Sequence, residues 1–140
     1  GRAGLRSWRV WADHVARDEA VAEFLKSHPK IDKLHWPGFP DHPNHAIAKS
    51  QMRGFGGMIS FTLKGDSLDE AFRMASSTKV FSLAESLGGV ESLIEVPAAM
   101  THLSVAGSQL EVDPALVRLS VGVEHCDDLI ADLRQALDQA

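Results

Sequence analysis

Between residues 58 and 63 the chain reads MISFTL, and an extended backbone sends Ile59, Phe61 and Leu63 to one side and Met58, Ser60 and Thr62 to the other. Period-two alternation of this kind fits a half-buried strand and does not fit a helix. It repeats at 116–122, where Val117, Leu119 and Val121 oppose Arg118 and Ser120. A strand with one apolar face needs an apolar layer laid against it, and the chain supplies that layer as helices. One is predicted over 8–26, with Trp8, Trp11, Val15, Ala22 and Leu25 near helical spacing, ended by His28-Pro29 because the residue before proline avoids the helical region. Another closes the chain over 126–140, with Leu129, Ile130, Leu133 and Leu137 on one stripe and Asp127 and Asp128 in its first turn, where the helix dipole favours them.

The segments between are shorter. Residues 31–36 alternate weakly as a strand, and Pro37-Gly38-Phe39-Pro40 is a turn. Pro43 sits where the first turn of a short helix to Gln51 is expected. Ser67, with Glu70 three residues on, forms a capping-box pattern for a helix to Met74. Apolar runs at 80–83 and 90–96 have strand length, and 98–113 is irregular and polar. The pattern predicts an α+β or α/β sandwich with helices on one face of a small sheet.

The chain has 140 residues, one domain's worth, and a net charge of −5. An acidic balance with scattered basic residues argues against a nucleic-acid partner, because phosphate contacts need clustered Lys and Arg. No apolar run is long enough to span a bilayer, so no membrane role is expected. A single cysteine, Cys126, excludes an internal disulfide and fits a reducing, cytoplasmic setting.

Few residues carry chemistry on their own. Arg118 stands mid-strand opposite the apolar face; its rigid fork suits a carboxylate, although an arginine there equally serves as a surface group or pairs with an acidic side chain. Glu85-Ser86-Leu87-Gly88-Gly89 sets a hydroxyl and free amides where an anion fits, or simply turns the chain. His35, His42 and His45 lack the spacing of a metal site, and none is expected. Lys79, after Ser76-Ser77-Thr78, has the look of a nucleophilic Ser–Lys pair or of a lysine entering a strand. Cys126 at a helix N-terminus has the placement that lowers a thiol pKa, yet no His–Asn pattern supports a cysteine nucleophile.

Six strings in order carry a resemblance: 21–29 (VAEFLKSHP), 36–43 (WPGFPDHP), 54–61 (GFGGMISF), 83–93 (LAESLGGVESL), 97–104 (PAAMTHLS) and 116–124 (LVRLSVGVE). Together they resemble the C-terminal third of the Cys/Met-metabolism family of pyridoxal-phosphate enzymes, which includes cystathionine γ-synthase and γ-lyase. The resemblance implies the small C-terminal domain of a fold-type I pyridoxal-phosphate enzyme, a small antiparallel sheet with helices mainly on one face, with residues 1–27 as a linking helix from the large domain and 28–140 as the domain itself. It implies that Arg118 grips the substrate α-carboxylate, that Ser86 helps hold it, and that Glu85 lines the distal pocket, where a carboxylate suits the far amino group of cystathionine. It also implies that pyridoxal 5'-phosphate is held elsewhere. The Schiff-base lysine lies upstream of this sequence, and Lys79 aligns to a different position, so this stretch alone is expected to be inactive and to hold no catalytic, cofactor-binding or metal-binding residue. The expected partners are a sulfur amino acid (cystathionine, activated homoserine or cysteine), the large domain of the same chain, and further copies in a homo-oligomer. Methionine γ-lyase, O-acetylhomoserine sulfhydrylase and a non-catalytic binding or assembly module are the alternatives.

Overall fold

Alternation alone would leave the strands at 58–63 and 116–122 unplaced, but in the computed structural model they are neighbours at the centre of one sheet. The structure describes the backbone of residues 2–101 and 112–140 and the side chains of 15–101 and 112–140. Trp8 and Trp11, the arginines before them, and the polar stretch 102–111 lie outside the described side chains. The elements run α1 (Arg2–Ser27), β1 (Ile31–His35), α2 (His45–Gln51), β2 (Met58–Leu63), α3 (Leu68–Ser76), β3 (Ser82–Leu83), β4 (Leu93–Glu95), α4 (Pro97–Met100), β5 (Leu116–Ser120) and α5 (Cys126–Asp138).

The strand order is β1-β2-β5-β4-β3. The first four strands in that order pair antiparallel, in the register Ser60↔Arg118 and Glu95↔Arg118 across β2, β5 and β4. β3 joins β4 in parallel, so the expected antiparallel sheet has one parallel edge. That edge strand is short for an identifiable reason. The amides of Val80 and Phe81, which the apolar run 80–83 would commit to a ladder, donate instead to Asp132 Oδ2 at 2.8 and 3.0 Å, and Lys79 N–H donates to Oδ1 at 2.7 Å. Likewise 90–96 shrinks to a three-residue β4, because Val90 and Ser92 bond to the chain after β5.

The alternation at 58–63 and 116–122 predicts the two faces correctly. Ile59, Phe61, Leu63, Val117 and Leu119 are at most 1% exposed. α1, α3 and α5 cover that face and bring Val21, Leu25, Ala71, Met74, Leu129, Leu133 and Leu137 to it. Fully burying one such side chain is worth about 2 kcal/mol. Ser67 caps α3 as its pattern predicts, its hydroxyl accepting from Glu70 N–H at 3.2 Å.

Several bounds differ: α1 begins at Arg2 rather than near residue 8, and Pro97–Met100 forms the short helix α4 at the start of the stretch 98–113 read as irregular. α2 begins at His45 behind Asn44, and Pro43 lies outside it. The amides of His42 and His45 bond three residues back, to Phe39 and His42, so consecutive turns occupy the backbone until the Ala48 amide reaches the Asn44 carbonyl. Trp36 anchors the connection from α2 to β2. Its indole N–H donates to the Gly56 carbonyl at 2.8 Å, and its ring meets Phe39 and Phe55 edge-on, which seats the glycine turn that leads into β2. Gly56 takes φ +75°, a conformation that suits glycine.

Candidate functional site

The face of the sheet turned away from the three helices carries the polar members of each alternation. Arg118 lies at its centre on β5, flanked in register by Ser60 on β2 and Glu95 on β4. Arg118 Nη2 donates to Glu95 Oε2 in an ion pair, and the other carboxylate oxygen, Oε1, accepts from the Thr101 hydroxyl. The Glu95 side chain is only 2% exposed and that of Arg118 20%, so the arginine reaches the surface while its acid does not. Of the two placements the alternation left open for Arg118, the pairing with an acidic side chain is present. Arg118 spends one of five donors on it and has no other recorded acceptor among the described residues.

Ser120, two residues along the same face, accepts from the Gly88 amide at 2.8 Å. That bond pins the 84–92 loop, and with it Glu85 and Ser86, to the strand that carries Arg118. Gly88 itself takes φ +75°. A second attachment holds the loop's far end. Ser92 donates from its amide and its hydroxyl to the two Glu124 oxygens at 2.8 and 2.7 Å, and its hydroxyl accepts from Gly122 N–H at 2.8 Å. The two strands of chain approach so closely that a Cβ on Gly122 would lie 2.5 Å from Val90 O and Ser92 N. Burial alone would raise the Glu124 carboxyl, but the hydrogen bonds from Ser92 outweigh it and hold the group below the usual glutamate range.

Glu85 and Ser86 are exposed, and their side chains make no recorded hydrogen bond among the described residues. The structure therefore brings the loop and Arg118 to one face but does not put Ser86 or Glu85 in contact with the guanidinium. Where Gly88 meets Ser120 a cavity of about 200 Å³ opens, with Met58, Gly57 and Asp18 also in its lining and Arg118, Glu85 and Ser86 outside it.

The remaining candidates take structural places. The exposed Lys79 has its amide held by Asp132 of α5, on the helix side of the sheet. Thr78 Oγ1 donates to the carbonyls of its own turn and Ser77 Oγ to Arg73 O, so no Ser–Lys pair forms there. His45 Nδ1 lies 2.8 Å from Pro37 O and its ring stacks on Phe55. Among the described residues no group of three metal-ligating side chains gathers. Cys126 opens α5 as predicted, yet burial, and then Asp127, raise its thiol pKa, so the helix terminus does not activate it. Glu95 was missed by the sequence reading, although an acidic residue inside the apolar run 90–96 was the available signal.

The domain thus has two layers, helices on one face of the sheet and Arg118 with the loop tied to its strand on the other. A family model described as Cys/Met metabolism PLP-dependent enzyme matches residues 4–138. The chain belongs to that family. It is 58% identical to cystathionine gamma-synthase of Mycobacterium leprae over 118 residues, covering 84% of this chain and 30% of that protein. It is 47% identical to cystathionine gamma-lyase of Dictyostelium discoideum over 140 residues, covering 97% of this chain and 36% of the relative. The crystal structure of metB from Corynebacterium glutamicum superposes with a TM-score of 0.86 at 51% identity, covering 91% of this chain and 33% of that one. The chain thus spans about a third of the length of the relatives it matches.

Proposed function

We propose that this chain is the substrate-carboxylate-holding part of a pyridoxal-phosphate transsulfuration enzyme, a cystathionine γ-synthase or γ-lyase acting on sulfur amino acids. The observation that carries the reading is Arg118, held at the centre of the open face with four donors uncommitted and the Ser86–Gly89 loop tied to the same strand. Arg118 receives the α-carboxylate as a fork, and Ser86 adds a hydroxyl from the loop. Holding the carboxylate at a fixed point sets the orientation of the bonds at the α-carbon, which is the contribution of a clamp to rate. Glu85, exposed on the same loop, faces the distal amino group of cystathionine. Pyridoxal phosphate, when bound, supplies the electron sink for elimination or replacement at the β- or γ-carbon. No residue of this chain is assigned to hold it, and Lys79, tied to the helix side, does not fit as its lysine.

Residues 1–27 serve in this reading as the linking helix and 28–140 as the domain. The last turns of that helix, through Val21, Ala22 and Leu25, already belong to the core. A cytoplasmic enzyme is part of this reading. No described helix is long and apolar enough to cross a membrane. Exposed Ile47, Met52, Leu87 and Val90 fit covered surfaces in a larger chain and a homo-oligomer.

Arg118→Ala, made in a full-length enzyme that carries this chain, is expected to lower kcat/KM for cystathionine by about 2–5 kcal/mol in transition-state binding. Unchanged kinetics would remove Arg118 from the substrate site.

A further inference from the structure

Glu95 is a nearly inaccessible carboxylate to which the clamp assigns no role. We propose that it is the positioning residue of Arg118, fixing the guanidinium so that its remaining donors face the substrate; this rests on reading Arg118 as the clamp. A carboxylate with 2% of its side chain exposed must be compensated or the fold loses stability, and it is compensated at both oxygens, by Arg118 and by Thr101. The register puts the two residues opposite one another on β4 and β5, so both side chains leave the same face from rigid neighbouring strands. Thr101, the C-cap of α4, ties one oxygen to the helix that comes after β4. The acceptor offered to Nη2 is therefore stationary. An arginine side chain is long and rotamer-rich, and a planar fork held at one nitrogen has its plane and reach constrained.

A second consequence concerns selectivity. Glu95 already balances the charge of Arg118, so an incoming α-carboxylate gains less from net charge and more from fitting the fork. Geometry then decides which anion is taken, and loosening the fork weakens the preference for a planar carboxylate over its amide.

The test uses steady-state kinetics of the full-length enzyme with cystathionine and its α-carboxamide, for Glu95→Met, Glu95→Gln and Thr101→Val beside Arg118→Ala. Glu95→Met keeps the buried volume and removes the acceptor; KM should rise about tenfold or more, kcat should move far less, and the acid-over-amide preference should fall by a similar factor. Glu95→Gln keeps an oxygen for Nη2 and should restore both quantities to within about threefold of the parent. A wild-type KM and preference in Glu95→Met, or a Gln variant as impaired as the Met variant, overturns the proposal. If Glu95→Met does not fold, Thr101→Val decides: it frees Oε1 without a cavity and should raise KM about threefold, and an unchanged KM overturns the proposal. Were Arg118→Ala itself to leave KM and preference intact, the carboxylate reading would fall and the positioning role with it, whereas a defect in Arg118→Ala beside a wild-type Glu95→Met overturns the positioning role alone.

Discussion

The two faces of β5 are built on different physics. Val117 and Leu119 face the helices and are fully buried among aliphatic and aromatic side chains, where each contact is weak and the sum is large. Arg118 and Ser120 face the other way and depend on a few directed bonds, one to Glu95 and one from Gly88. The helix face can lose a methyl group and keep its form. The open face loses its geometry when a single partner is removed, and geometry is what a ligand reads. The apolar core and the proposed binding face are thus separated by about one residue of strand.

Substitutions on each face test that separation. Phe61→Ala should cost about 3–5 kcal/mol in urea unfolding, with no pH dependence of its own; a cost under 1 kcal/mol would mean that the helix layer collapses onto the gap. Asp132 is the polar exception on the helix side, holding three consecutive amides. Asp132→Ala should cost about 3 kcal/mol, and Asp132→Asn distinctly less, because its carbonyl still accepts. Equal losses in the two variants would show that charge, and not hydrogen bonding, does the holding.

The smallest effect belongs to the loop. The Glu124 carboxyl lies below its ordinary value in the folded chain. Its stabilisation is therefore fully present above the unfolded pKa and is lost as pH falls from the ordinary glutamate range through the lower folded value. Glu124→Gln should flatten that part of the acid limb by about 1 kcal/mol and increase amide exchange over 88–92 at neutral pH. If neither changes, the Gly88–Ser120 bond and the backbone bonds at Val90 and Ser92 hold the loop without Glu124.

Much of this was legible in the sequence. The alternation at 58–63 and 116–122 assigned both faces correctly, Ser67 announced its cap, and His28-Pro29 marked the end of α1. The misjudged elements share a cause. Residues 80–83 and 90–92 have strand-like composition, but the Val80, Phe81 and Ser92 amides are claimed by Asp132 and Glu124, and the Val90 carbonyl by Val123, partners 32 to 52 residues away. Arg118 and the Glu85-Ser86 stretch stood out from pattern, which left Arg118 readable as an ordinary surface group; the substrate roles proposed for them came from resemblance.

By itself the sequence determined which side of each central strand is apolar, where the long helices end and which family the chain resembles, because these depend on local periodicity, proline and glycine stereochemistry, and ordered motifs. Only the tertiary structure decided that Glu95 stands opposite Arg118 and that Gly88 reaches Ser120. Register between strands distant in sequence is set by packing of the whole sheet, and a buried charge finds its partner only when that register is in place.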